Sequence, residues 1–133
     1  MAEGSPEPYV HSIRVRYGEV DMQQVVFNAH YLAYCDDACE TWLAARGVRA
    51  SSHGWDFMLK KATIEWAGAA TVHDHLDITV QVARWGNTSF DVAFEGEVEG
   101  RPVFSCAITY VGVKAGTRET MPAPAEIRAA LGG

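Results

Sequence analysis

The residues best placed to do chemistry lie in one short stretch, Asp21-Met22-Gln23-Gln24-Val25-Val26-Phe27-Asn28-Ala29-His30-Tyr31. Asp21 is a carboxylate in a loop that runs into a helix. The first amides of a helix have no intrahelical acceptor and sit at the positive end of its dipole. A carboxylate beside such donors can take a proton from water or attack a carbonyl itself, while the amides around Asn28 and Ala29 stabilise the oxyanion that develops. The same carboxylate also suits a turn cap, which is a purely structural role, and the pattern alone fits both. Asn28 reads as the N-cap of the helix, a role compatible with presenting the amides. His30 fits a packed or surface histidine as well as a group that orients water.

A helix must position these groups. Tyr31, Leu32, Cys35, Ala38, Cys39, Trp42 and Leu43 recur at i, i+3, i+4 and i+7, and Gly47 stands where a left-handed residue would close the helix. Alanines at 29, 33, 44 and 45 widen the apolar surface, so this helix is expected to be covered on more than one side. Ahead of it, Ile13, Val15 and Tyr17 alternate with Ser12, Arg14 and Arg16, which predicts a strand over residues 11–17. Residues 47–58 read as a long aromatic connection. Beyond it, period-two alternation predicts strands around 62–66, 76–82 and 88–95, with Gly86-Asn87 as a two-residue hairpin turn and Gly100 marking the next turn. Residues 102–113 form a nearly continuous apolar run, suited to a strand covered on both faces or paired across a subunit interface. The tail reads as a short helix with Pro124 at its start. Strand, long helix, then four strands is an α+β order, and its two-layer solution is a five-stranded antiparallel sheet curled around the helix.

A chain of 133 residues fits a single domain over 1–133, with residues 1–8 expected to be loose. A formal charge of -6 and a pI near 5.3 argue against nucleic-acid binding, which needs clustered Lys and Arg. The N-terminus has no signal-peptide pattern, and no apolar run approaches the roughly 20 residues that span a bilayer, so a soluble cytoplasmic protein without a membrane partner is expected. Cys35, Cys39 and Cys106 form no CxxC pair and are expected as reduced, buried thiols.

The element order, with Asp21 in the loop before the helix, resembles the hotdog fold. The loop is similar to that of the 4-hydroxybenzoyl-CoA thioesterase and short-chain acyl-CoA thioesterase family, in which an Asp is followed by a short aliphatic run, a small polar cluster and a Tyr; here these are Asp21, Val25-Val26, Asn28-Ala29-His30 and Tyr31. The likeness covers nearly the whole chain, and His75 to Phe90 is similar to two of the family's sheet strands and their turn. It implies a single hotdog domain that hydrolyses an acyl-CoA thioester to free acid and coenzyme A. Asp21 would be base or nucleophile, the amides at Asn28 and Ala29 the oxyanion hole. Gln24, His30, Tyr31, Trp55, Phe57 and Met58 are then candidates for contact with the acyl group. Coenzyme A phosphates would fall to Lys60, Lys61 and Arg84, with Arg46 and Arg49 near the same loop. No metal and no cofactor is expected beyond the coenzyme A of the substrate. The resemblance further implies a homodimer or homotetramer with sites between subunits.

Three features depart from the family pattern. Gln24 stands where a glycine is usual, Cys39 where a helix Arg is common, and Gly86-Asn87-Thr88 where some relatives place basic residues. Other hotdog thioesterases carry their acid on the helix, which brings Asp36, Asp37 and Glu40 into comparison, although helix carboxylates are usually solvated. His73-Asp74-His75 lacks an evident third ligand and reads as a polar turn rather than a metal pair. Two rival functions remain open. One is a noncatalytic acyl-CoA binding or sensing module; the other is a hotdog dehydratase or hydratase, which would need a His-rich Gly-Pro loop that this sequence lacks.

Overall fold

The computed structural model describes residues 8–49 and 53–132. Residues 1–7 of the expected loose start, and Ser51 and Ser52 of the expected connection, lie outside the described residues. The elements run β1 (Tyr9–Arg14), a 3-10 turn (Tyr17–Glu19), α1 (Asn28–Ala45), β2 (Trp55–Trp66), β3 (His75–Trp85), β4 (Ser89–Val98), β5 (Arg101–Lys114) and α2 (Ala125–Leu131). The five strands form one sheet in the order β1-β3-β4-β5-β2, antiparallel at every pairing, with β1 and β2 at the edges.

Alternation decides which side chains enter the core. On β3, Leu76, Ile78 and Val80 are fully buried, and on β4 Phe90, Val92 and Phe94 are buried. Tyr31, Tyr34, Cys35, Ala38, Cys39, Trp42 and Leu43 of α1 join them in one cluster with Phe104, Cys106, Ile108 and Tyr110 of β5. Tyr31 anchors the start of α1: its ring lies 5.2 Å from that of Phe104 and 5.9 Å from that of Trp66. Only glycine fits at position 96, because a Cβ there would overlap the Phe104 ring. At the other end of α1, Gly47 takes φ +73, the left-handed closure that its place in the sequence predicts. The three cysteines are free and buried, and burial raises the Cys39 thiol to about 11, so it stays protonated.

Several boundaries differ from expectation. The first strand begins at Tyr9 and ends at Arg14; Tyr17, expected inside it, belongs to the 3-10 turn and is 84% exposed. The expected connection over 47–58 is strand from Trp55 onward. Its periodicity is hidden because β2 is an edge whose register shifts between Leu59 and Lys61, a bulge that leaves Lys60 without a partner in the ladder. The turn between β3 and β4 has three residues, closed by Gly86 N–H donating to the Ser89 carbonyl at 2.7 Å. The tail, by contrast, forms the short helix expected there, α2, with Pro124 as its N-cap and Arg128 5.0 Å over the Trp85 ring. No helix among the described residues is long and apolar enough to cross a membrane.

Candidate active site

Asp21 sits at the head of a tight hairpin. Its N–H donates to the Val25 carbonyl at 3.0 Å, its own carbonyl accepts from Gln24 N–H at 2.9 Å, and Val20 and Val26 bridge just outside. Asp21 Oδ1 accepts from Gln23 N–H at 2.8 Å, the turn-capping bond for which Asp is favoured at this position. Capping occupies one carboxylate oxygen. Asp21 as a whole remains half-buried and lines a cleft of about 780 Å3 with Tyr17, Gly18, Val20, Met22, Gln24 and Val72.

Gln24 closes this turn with φ +65, the left-handed conformation that glycine adopts without steric cost. A side chain there costs about 1 kcal/mol. The backbone is held regardless: Thr71 Oγ1 donates to the Gln24 carbonyl at 2.5 Å, and Val26 N–H donates to the Ala70 carbonyl at 2.9 Å. The turn usually made with glycine therefore forms with glutamine.

The start of α1 departs from expectation in a way that matters. Asn28 is not the N-cap; it is the first helical residue, and the cap position is Phe27, extended at φ -64 and ψ 135, with no side-chain acceptor. The reason is that Phe27 N–H donates to the Glu19 carbonyl at 3.0 Å, which keeps the chain strand-like through residue 27. His30 N–H turns back to the Phe27 carbonyl at 2.9 Å. The N–H groups of Asn28 and Ala29 have no acceptor among the described residues, and both residues are exposed. Two free donors thus stand at the positive end of an 18-residue helix.

Glu19, which the sequence reading passed over, ties this assembly together. It is 8% exposed. Oε1 accepts from Arg16 N–H at 2.8 Å and from the Tyr34 hydroxyl at 3.0 Å, while Oε2 accepts from Arg16 Nε at 3.1 Å and from the guanidinium terminus at 2.6 Å. Burial pushes the carboxyl pKa up, but these hydrogen bonds and the Arg16 charge outweigh it and hold Glu19 below the ordinary range. Tyr34 moves in the opposite direction, raised by burial and by donating to Glu19. The sequence shows an acid two residues before Asp21, but its partner Tyr34 falls outside the apolar stripe read there, so nothing local marks the pair.

The other candidates divide by place. Tyr31 is 1% exposed and its hydroxyl accepts from Ala70 N–H at 3.3 Å; His30 is half-buried, its ring 6.0 Å from that of Phe27. Trp55 is fully buried, with Nε1 donating to the Met121 carbonyl at 3.2 Å. Phe57 lines a separate groove of about 490 Å3 with Asp36, Asp37, Cys39, Glu40 and Tyr110, and Met58 is exposed. Met58 stands eight positions along β2 from Trp66, which packs on Tyr31, a separation of roughly 26 Å at strand rise. Within one chain the structure does not bring Trp55, Phe57 and Met58 to Asp21. Lys60 and Lys61 are exposed midway along β2. Arg84 is committed to Asp91 at 2.9 Å and Ser89 at 3.4 Å.

The helix acids belong to the Phe57 groove, not the Asp21 cleft, and Asp37 pairs with His11 Nε2 at 2.8 Å. His73 and Asp74 build the turn into β3: Asp74 Oδ2 accepts from Thr71 N–H at 2.9 Å, and His73 Nδ1 meets Arg14 at 3.0 Å.

Known proteins share this fold. A 1,4-dihydroxy-2-naphthoyl-CoA hydrolase of Synechococcus elongatus is 25% identical over 119 residues, covering 86% of this chain and 88% of its own. The crystal structure of a 1,4-dihydroxy-2-naphthoyl-CoA thioesterase from Synechocystis superposes with a TM-score of 0.84 at 19% identity, over 93% of this chain and 95% of that one. A gentisyl-coenzyme A thioesterase structure gives 0.83 at 24% identity, over 92% and 99%. These likenesses establish the hotdog fold. The family model of the thioesterase-like superfamily matches residues 15–131, from just past β1 through α2, and the chain belongs to that superfamily.

Proposed function

We propose that the chain hydrolyses an acyl-CoA thioester to a free acid and coenzyme A. The observation that carries this reading is the hydrogen bond from Phe27 N–H to the Glu19 carbonyl, which fixes the Asp21 hairpin against an uncapped helix start. Water adds to the thioester carbonyl as Asp21 takes its proton, or Asp21 adds first and water resolves the anhydride. Either way the carbonyl oxygen gains charge, and the Asn28 and Ala29 amides are the donors that meet it. Collapse expels the coenzyme A thiolate, which recovers a proton. The names of the relatives, which act on aromatic acyl-CoA thioesters, support this class of substrate.

The sheet wraps α1 in this reading, and the protein works as a homodimer or homotetramer joined along β2. That edge strand is 12 residues long, and Met58, Leu59 and Trp66 on it are 52%, 44% and 46% exposed. Phe57, Met58, Lys60 and Lys61 lie on the same strand, away from their own Asp21, so association along β2 is the arrangement in which they can serve a site, whereas Trp55, fully buried, stays a core residue.

The test is free-thiol release from a panel of aromatic and aliphatic acyl-CoAs by the native protein and by Asp21→Asn. Asparagine keeps the turn-capping oxygen, so the hairpin survives while the base or nucleophile is lost. We expect turnover of at least one class by the native protein and a loss of about 10³-fold in the variant. Native activity in the variant would refute the role of Asp21, and binding without thiol release would favour the noncatalytic reading.

A further inference from the structure

We infer that Gln24 selects the acyl group: its side-chain amide hydrogen-bonds a neutral oxygen, a hydroxyl or carbonyl, carried by the acyl chain. This rests on the hydrolase reading and goes beyond it by naming a specificity residue and the chemistry it reads.

The argument begins with a cost that the fold does not recover. Residue 24 lies at φ +65, where glycine would serve the hairpin without strain. Both backbone polar groups of residue 24 are already used, the N–H by the Asp21 carbonyl and the carbonyl by Thr71 Oγ1. Neither bond needs a side chain. The Gln24 amide itself makes no hydrogen bond among the described residues, and the residue is exposed, so its side chain adds nothing to the core. What it does is line the cleft that Asp21 lines. His73 and Glu99 also take positive φ, but in turns outside the cleft lining; at Gln24 the strain stands beside a reactive group with no structural return, which points to a contact made only with ligand.

The chemistry of the cleft narrows that contact. Val20, Met22 and Val72 are apolar walls, and Tyr17 presents a largely exposed ring. Against them the neutral amide offers two donors and an acceptor, which match a hydroxyl or carbonyl oxygen. An acyl group ending in a carboxylate is disfavoured, because it would meet the Asp21 carboxylate with no cation among the cleft residues to compensate. A site built to hydrogen-bond a substrate oxygen discriminates strongly against the analogue lacking it, since the amide would then be left unpaired.

The test compares kcat/KM for butyryl-CoA against 3-hydroxybutyryl-CoA, and benzoyl-CoA against 4-hydroxybenzoyl-CoA, with succinyl-CoA as the anionic probe. The native protein should favour the oxygenated member of at least one pair by about tenfold or more, and should turn over succinyl-CoA poorly. Gln24→Gly and Gln24→Met should each shrink that preference to within about twofold by losing rate on the oxygenated member alone. Gln24→Gly should keep or raise Tm, because the strain is relieved, which separates this effect from misfolding. An unchanged ratio in both variants, or equal loss on both members of a pair, would overturn the inference while leaving the hydrolase reading intact. No turnover of any acyl-CoA by the native protein would overturn both.

Discussion

The Tyr34 hydroxyl donates to Glu19 Oε1 at 3.0 Å, joining the buried face of α1 to the carboxylate two residues before Asp21. That bond closes a loop of structure: β1 leads to Arg16, Arg16 holds Glu19, Glu19 holds both Tyr34 and the Phe27 amide, and Phe27 opens α1. Tyr34→Phe removes the donor and leaves a buried carboxylate oxygen with one fewer partner. The expected loss is about 2 kcal/mol of unfolding free energy, as for a hydrogen bond to a charged group. The midpoint of urea unfolding, with its slope unchanged, would show it; a midpoint equal to that of the native protein would mean that the network contributes nothing to stability.

Acid should unfold the protein partly through the same carboxylate. Glu19 is held below its ordinary pKa when folded, so its contribution to stability is full above the unfolded value, about 4.3. That contribution is lost as pH falls from there through the folded value. Asp91, lowered by hydrogen bonds from Arg84 and Thr109, acts in the same direction from the exposed face. Glu19→Gln should therefore be less stable at neutral pH and show a shallower decline below about pH 4 than the native protein. Parallel acid limbs for the two proteins would contradict this.

The helix start offers a test that spares the fold. Proline is accepted at the first helical position, where its missing N–H has no intrahelical role, and Phe27 already has the extended backbone that a following proline requires. Asn28→Pro deletes one of the two free amides. We expect kcat to fall by about 10²-fold or more, with Tm close to native. A variant with native kcat would show that the Asn28 N–H does not meet the oxyanion.

Association along β2 predicts a second separable phenotype. Leu59 is 44% exposed on an edge strand, so a charge there has access to solvent in the single chain. Leu59→Asp should shift the sedimenting species toward monomer and lower thiol release with it. Sedimentation identical to that of the native protein would move the interface elsewhere.

Much of this fold is readable in the amino-acid order because its strands bury one face each. Leu76, Ile78 and Val80, or Phe90, Val92 and Phe94, announce themselves by alternation, and the stripe from Tyr31 to Leu43 announces a helix. Where the reading slipped, a tertiary partner had replaced a local signal. Trp55 to Met58 looked like loop because an exposed edge has no apolar rhythm and the bulge at Lys60 breaks the period. Asn28 looked like a cap, but the Glu19 carbonyl captures the Phe27 amide, which puts Phe27 at the cap and starts the helix one residue earlier. The place of Asp21 ahead of α1 was legible. The capped hairpin around it, closed at Gln24, was not, because that turn normally advertises itself with a glycine.

Cys35, Cys39 and Cys106 are 0%, 3% and 4% exposed. A chromogenic disulfide reagent added to the folded protein therefore finds almost no protein sulfhydryl to attack and reports only the coenzyme A that turnover releases. In denaturant the same reagent should reach all three, so one absorbance signal counts product under native conditions and unfolded chains outside them.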